Sequence, residues 1–140
     1  MKHLMCLGIA AALFSAASLV SQADVAVVVS AKSNVGSLSK DQISDIYLVK
    51  TKEFPGGGQA VPVMQGGGGA SDEFLSKVLG KTDAAAKSYW AKLTFTGKGA
   101  APKEVPNGAE MKKLISSNPN MIGYIDKSEV DGSVKVVGSF

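Results

Sequence analysis

The chain has 140 residues, with 15 lysines set against 12 carboxylates, one histidine, one cysteine and no arginine. The lysines are spread along the sequence, which argues against a nucleic-acid partner, because proteins that grip a phosphate backbone gather their cations on one face. Without arginine the chain also lacks the side chain best shaped to hold a phosphate or carboxylate with two parallel hydrogen bonds.

The first element is a leader. Lys2 and His3 precede an apolar run over residues 4–20, which closes on Ser21-Gln22-Ala23. That is the positive region, apolar region and small-x-small cleavage site of a secretory signal peptide. The run is shorter than the ~20 residues a membrane span needs. Residues 1–23 are therefore expected to be cleaved on export to the periplasm, leaving residues 24–140 as one domain. Cleavage removes Cys6 and His3, so disulfides, Cys/His zinc sites and Cys/His nucleophiles are excluded by composition, and no metal or cofactor is expected.

Residues 24–30 (DVAVVVS) form a β-branched, nearly continuous apolar run, as in a strand buried on both faces. Ser39 with Gln42 reads as a capping box opening a helix, with Leu38 and Ile43 as its hydrophobic staple and Ile43, Ile46 and Tyr47 on its apolar face. A Pro/Gly turn over residues 53–58 leads to a second strand over 60–65, where Pro62 suggests an edge or a strand beginning. Four glycines, 66–69, precede a helix over about 71–79 that ends at Gly80. A third helix begins after Thr82, with Ala86, Tyr89, Trp90 and Leu93 on one face. That spacing makes Tyr89 and Trp90 core residues rather than a stacking platform.

Residues 94–106 read as a long loop in which Lys98 and Lys103 are solvated. Asn107 with Glu110 opens a fourth helix whose Met111, Leu114 and Ile115 face inward. Two short strands, 121–125 and 134–137, complete the chain, with Asp131-Gly132 as a turn before the second. Strands alternating with helices imply a single three-layer α/β domain with a mixed or mostly parallel sheet.

The glycine loop is the one local feature that invites chemistry. Backbone N–H groups of Gly67, Gly68, Gly69, Ala70 and Ser71 could converge on an anion at the start of the following helix. The loop is neither a Walker loop nor a dinucleotide fingerprint, since no Gly-Lys-Ser/Thr closes it and Asp72 stands where a third glycine would be needed. Asp72 and Glu73 also repel an anion. A plain flexible connection remains the alternative reading.

The order of segments resembles a known family. Leu38-Ser39-Lys40-Asp41-Gln42-Ile43-Ser44-Asp45-Ile46-Tyr47-Leu48-Val49-Lys50, then a strand, a glycine loop and a helix bearing Phe74, then Asn118-Pro119-Asn120-Met121-Ile122-Gly123-Tyr124-Ile125, resembles the second lobe of the periplasmic phosphate-binding proteins of ATP-driven uptake systems. The resemblance implies one lobe of a type 2 periplasmic binding protein fold, in a family whose members are normally two-lobed. In the family the ligand is held by an arginine, an aspartate, a serine and a threonine of the loop. Those positions fall here on Met64, Gly66, Gly68 and Ala70, so every side-chain donor is missing.

Two function classes follow. One is a periplasmic solute-binding-like protein, related to the substrate-binding proteins of phosphate transporters, whose contact with phosphate or another small oxyanion is weak or absent. The other is a docking module without a small ligand, serving a membrane transporter, porin or sensor. No constellation suggests an enzyme, and the chain is expected to be a monomer or a homodimer.

Overall fold

The computed structural model describes Val25 to Phe140; the expected leader over residues 1–23 lies outside the described residues. The elements in chain order are β1 (Val25–Ser30), α1 (Lys40–Tyr47), β2 (Val61–Gln65), α2 (Gly69–Phe74), α3 (Asp83–Phe95), β3 (Lys103–Val105), α4 (Gly108–Ser117), β4 (Met121–Asp126) and β5 (Val134–Ser139). One sheet runs in the order β3-β2-β4-β1-β5. It is mixed: β2 is parallel to both β3 and β4, whereas β1 is antiparallel to both β4 and β5.

The layers follow from β1. Every residue of that strand is buried. Val25, Val27 and Val29 face a cluster with Ile43, Tyr47, Phe74, Leu75 and Trp90, under α1, α2 and α3. Ala26 and Val28 face a smaller cluster with Met111, Ile115 and Ile125, under α4. A strand covered on both sides needs no polar face, which is why its sequence does not alternate. The expected three-layer domain is the observed one.

Local chemistry sets the helix starts. The Ser39 Oγ accepts from the Gln42 N–H at 3.1 Å, and the Gln42 Oε1 accepts from the Ser39 N–H at 2.8 Å. Ser39→Ala should therefore lower stability by about 1 kcal/mol, read as a shifted urea midpoint at unchanged slope; no shift would mean tertiary packing alone holds α1. Thr82 and Asn107 cap α3 and α4 with their side-chain oxygens alone, accepting from the Ala85 and Glu110 N–H groups.

Two details correct the expectations from sequence, and a third chooses between two of them. The segment expected as a loop over residues 94–106 contains the end of α3, which reaches Phe95, and the edge strand β3. The second helix starts earlier, at Gly69, and its later part is a wide π turn, Leu75–Leu79, closed by Gly80 in left-handed conformation (φ 64°). Pro62 begins a strand without lying on an edge. Val61 donates towards β4, at the Asn120 carbonyl, so the missing N–H of Pro62 faces the side where pairing with β3 has not yet begun.

Candidate functional site

The parallel strands β2 and β3 end at one edge of the sheet, and the N-termini of α2 and α4 open there. In α/β sheets ligands are usually held at that edge, where loops leave the carboxyl ends of the strands. The glycine loop lies on it.

A hydroxyl network holds the base of the loop. β2 and β4 pair through Val61 with Met121 and Pro62 with Ile122, and no further. Beyond that point side chains replace the ladder. The Tyr47 hydroxyl reaches the Val63 carbonyl at 2.8 Å and the Ile122 carbonyl at 3.1 Å, and so ties both strands to α1. The Gln65 N–H donates to the Tyr124 hydroxyl at 3.0 Å, and the Gln65 Nε2 donates to the Tyr124 carbonyl at 2.8 Å. Tyr124 in turn donates to Ser71 at 3.0 Å, and Ser71 donates to the Gln65 carbonyl at 3.3 Å. Phe74 stacks on Tyr124 with centroids 4.2 Å apart and lies 4.6 Å from the Tyr47 ring.

The two quoted segments that carry the resemblance, residues 38–50 and 118–125, thus supply the two ends of one brace. Tyr47 comes from the end of α1 and Tyr124 from β4. The end of α1 is itself held from α3: the Trp90 Nε1 donates to the Tyr47 carbonyl at 2.9 Å, and the Tyr89 hydroxyl donates to the Leu48 carbonyl at 2.7 Å. Both are carbonyls of a helix C-terminus that lack intrahelical partners. Tyr89 and Trp90 are therefore packing residues with a polar task. Val49 follows in left-handed conformation (φ 61°), where glycine is usual, and the Lys50 N–H closes the helix on the Asp45 carbonyl at 2.8 Å.

Gly67, Gly68 and Gly69 are exposed, Ala70 is half-buried and Ser71 is buried. Gly67 (φ 124°) and Gly68 (φ 99°) occupy backbone conformations that a side chain strains, and Gly68 gives α2 no side-chain cap. The first N–H groups of α2 have no intrahelical acceptors. The Ser71 hydroxyl points the other way, into the brace.

Several carboxylates gather at this edge. Gly66 lies so close to Glu104 that a Cβ there would stand 2.9 Å from the Glu104 Oε1. Gly108, the first residue of α4, is similarly closed over by the Glu129 carboxylate. Burial pushes the Tyr124 phenol above its ordinary range, and the Glu104 and Asp72 charges add to the rise against the pull of its hydrogen bonds. Glu73 pairs with Lys77 at 2.8 Å, whereas Glu104 has no ion-pair partner among the described residues. Nothing local in the sequence signals this, because Gly66 and Glu104 meet only through the pairing of β2 with β3.

Met64, where the resemblance leads one to expect an arginine, is buried in the main cluster. It also borders a hollow of about 230 Å³ between β2, α3 and the strand β3. Lys98 and Lys103 are exposed, as expected.

Among solved structures, one protein assigned as a phosphate ABC transporter substrate-binding protein from Clostridium perfringens, with phosphate bound, superposes with a TM-score of 0.64 at 25% identity over 82% of this chain. An ABC-type phosphate transport receptor from Vibrio cholerae (TM-score 0.61, 20% identity) and PstS from Borrelia burgdorferi (0.57, 13%) each match 83% of it. The chain folds as one lobe of a phosphate-binding transport protein. It spans 45%, 46% and 47% of those three proteins respectively, less than half of each. No protein-family profile matches the sequence, and no curated protein matches it. Among the described residues no helix is long and apolar enough to cross a membrane.

Proposed function

We propose that this protein is an exported, periplasmic solute-binding-like lobe, related to the substrate-binding proteins of phosphate transporters, in which phosphate binding is weak or lost. The observation that carries this reading is the Glu104 carboxylate packed against Gly66, at the base of the loop that would receive the anion. Any oxyanion held by the N–H groups of Gly67, Gly68, Gly69, Ala70 and Ser71 meets that charge and those of Asp72 and Glu73. Two like charges about 4 Å apart cost ~1 kcal/mol in water and about 4 kcal/mol at an effective dielectric of 20. Since ~1.4 kcal/mol is tenfold in affinity, this opposes the gain from backbone donors alone.

Calorimetry with inorganic phosphate tests the reading. The protein should bind it no more tightly than about 1 mM, and Glu104→Gln should strengthen binding several-fold while leaving the fold intact, because Glu104 is exposed. Micromolar binding by the unaltered protein would overturn the proposal. Simple restoration of the family's side chains is opposed by this geometry: serine at position 68 meets a φ of 99°, and arginine at position 64 starts from a buried site.

A second reading, a docking module for a transporter, porin or sensor, draws support from the same sheet edge. Asp72, Glu104, Glu110 and Glu129 line it with carboxylates, a surface suited to a basic partner face.

A further inference from the structure

Pairing between β2 and β3 begins only at Val63 with Lys103, so Val61 and Pro62 have no ladder partner in β3. Pro62 could not donate to one. The chain leaving α1, the start of β2 and the approach to β3 part from one another there, and between them lies a groove of about 310 Å³ walled by Ile46, Val49, Val61, Pro62, Ala101 and Pro102. Contacts fix the flanking segments. The Ala60 N–H donates to the Lys52 carbonyl at 2.9 Å, and Gly99 lies so close to Val49 that a Cβ there would stand 2.9 Å from the Val49 Cγ1.

Lys52 and Lys103 are the only charged residues on the wall of this groove. Both are exposed, and neither joins an ion pair among the described residues. Lys50, beside Val49, and Lys98, beside Gly99, are exposed and without an ion-pair partner in the same sense. The carboxylates nearest in sequence serve other places: Asp45 and Glu53 line a neighbouring hollow, and Glu104 lines the one beside α3. The sheet edge at the glycine loop gathers carboxylates, whereas this groove joins apolar walls to cations alone.

We propose that the groove binds a free anionic amphiphile with one short aliphatic tail, the tail lying on Val49, Val61 and Pro62 and the head paired with the Lys52 and Lys103 ammonium groups. Size selects one tail. A cavity of ~150 Å³ holds benzene, so this groove takes a chain of several carbons but not the two long tails of a membrane lipid. Lysine ammonium groups on flexible four-carbon stems can reach a head at the mouth of the groove. Exposed ion pairs contribute little by themselves, so neither a bare anion nor an uncharged chain has the full set of contacts.

Calorimetry with sodium octanoate tests the proposal. Binding is expected at about 1 mM or tighter, strengthening about two- to fourfold with each methylene from butyrate to octanoate, and octylammonium should bind at least ~10-fold more weakly than octanoate. Lys52→Glu combined with Lys103→Glu should invert that preference, which a loss of stability alone does not do. If that variant fails to fold, the comparison of octanoate with octylammonium on the unaltered protein decides by itself. Octanoate carrying a terminal diazirine should label residues 46–62 or 99–103 on illumination. Absence of binding at about 10 mM octanoate, equal affinity for octanoate and octylammonium, or labelling confined to the glycine loop would overturn the proposal. Attachment to phosphatidylglycerol vesicles without binding of free octanoate would overturn it too, by making the lysines a membrane contact.

Discussion

Gly123→Val is expected to cost about 3 kcal/mol of folding stability, a large share of the ~5–15 kcal/mol that holds a domain together. Gly123 sits in β4 with Ile122 and Tyr124 turned to one face of the sheet, so its own missing side chain would point to the other, towards α4. A Cβ there would run into the Met111 Sδ and come within 3.1 Å of the Ile115 side chain. Both residues are fully buried. α4 lies directly on the glycine backbone, and two further methyl groups require it to lift away from Ala26, Val28 and Ile125. Strand propensity favours valine over glycine by at most ~1 kcal/mol, too little to offset that displacement.

Urea unfolding measures the loss, and a second variant separates overpacking from a general defect. Met111→Ala alone should destabilise by leaving a cavity, whereas Met111→Ala combined with Gly123→Val should be more stable than the sum of the two losses, because the new methyls occupy the vacated volume. Additive losses would mean that Gly123 is required for some reason other than contact with α4.

Gly123 and Tyr124 also illustrate how far the sequence could be read. The strand, its neighbours and the resemblance were legible because each rests on local pattern: an uninterrupted apolar β1, a capping box at Ser39, a helical stripe through Ala86, Tyr89, Trp90 and Leu93. β3 was not legible. It has three residues, of which Lys103 and Glu104 are exposed, and it exists only because Val63, Met64 and Gln65 offer it a ladder. The end of α3 was hidden for a related reason, since an exposed Phe95 breaks the correspondence between apolarity and burial on which periodicity depends. At the loop, composition disclosed the missing donors and the charges of Asp72 and Glu73. It could not disclose that Glu104 lies over Gly66 or that Ser71 turns its hydroxyl inward, because both depend on contacts between distant segments. The antiparallel placement of β1 was equally hidden, since a strand buried on both faces reads the same in either direction.

Alkaline pH should expose the brace. Tyr47 is fully buried, and burial, with the neighbouring Tyr124 phenol second, holds its pKa well above the ordinary tyrosine value. Tyr124 is shifted in the same direction. In the unfolded chain both phenols titrate near pH 10. Above that pH the unfolded state gives up protons that the folded state keeps, so the unfolded state binds fewer protons and stability falls as pH rises. The stabilisation is fully present below about pH 10 and declines by ~1.4 kcal/mol per pH unit for each buried phenol until that phenol ionises in the folded state. Ionisation would also end the donation from Tyr47 to the Val63 and Ile122 carbonyls that ties β2 to β4 where their ladder stops. Tyr47→Phe keeps the ring against Phe74 and removes only the hydroxyl. It should lower stability by about 1–2 kcal/mol at neutral pH, because the one phenol proton that two buried carbonyls share is lost, and yet give a shallower decline above pH 10, since one titrating group is gone. Urea unfolding across neutral and alkaline pH, with phenolate absorbance recorded on the folded protein, measures both quantities. Parallel declines for the two proteins above pH 10 would mean that the Tyr47 proton is not what the folded state retains, and that the strands part for another reason.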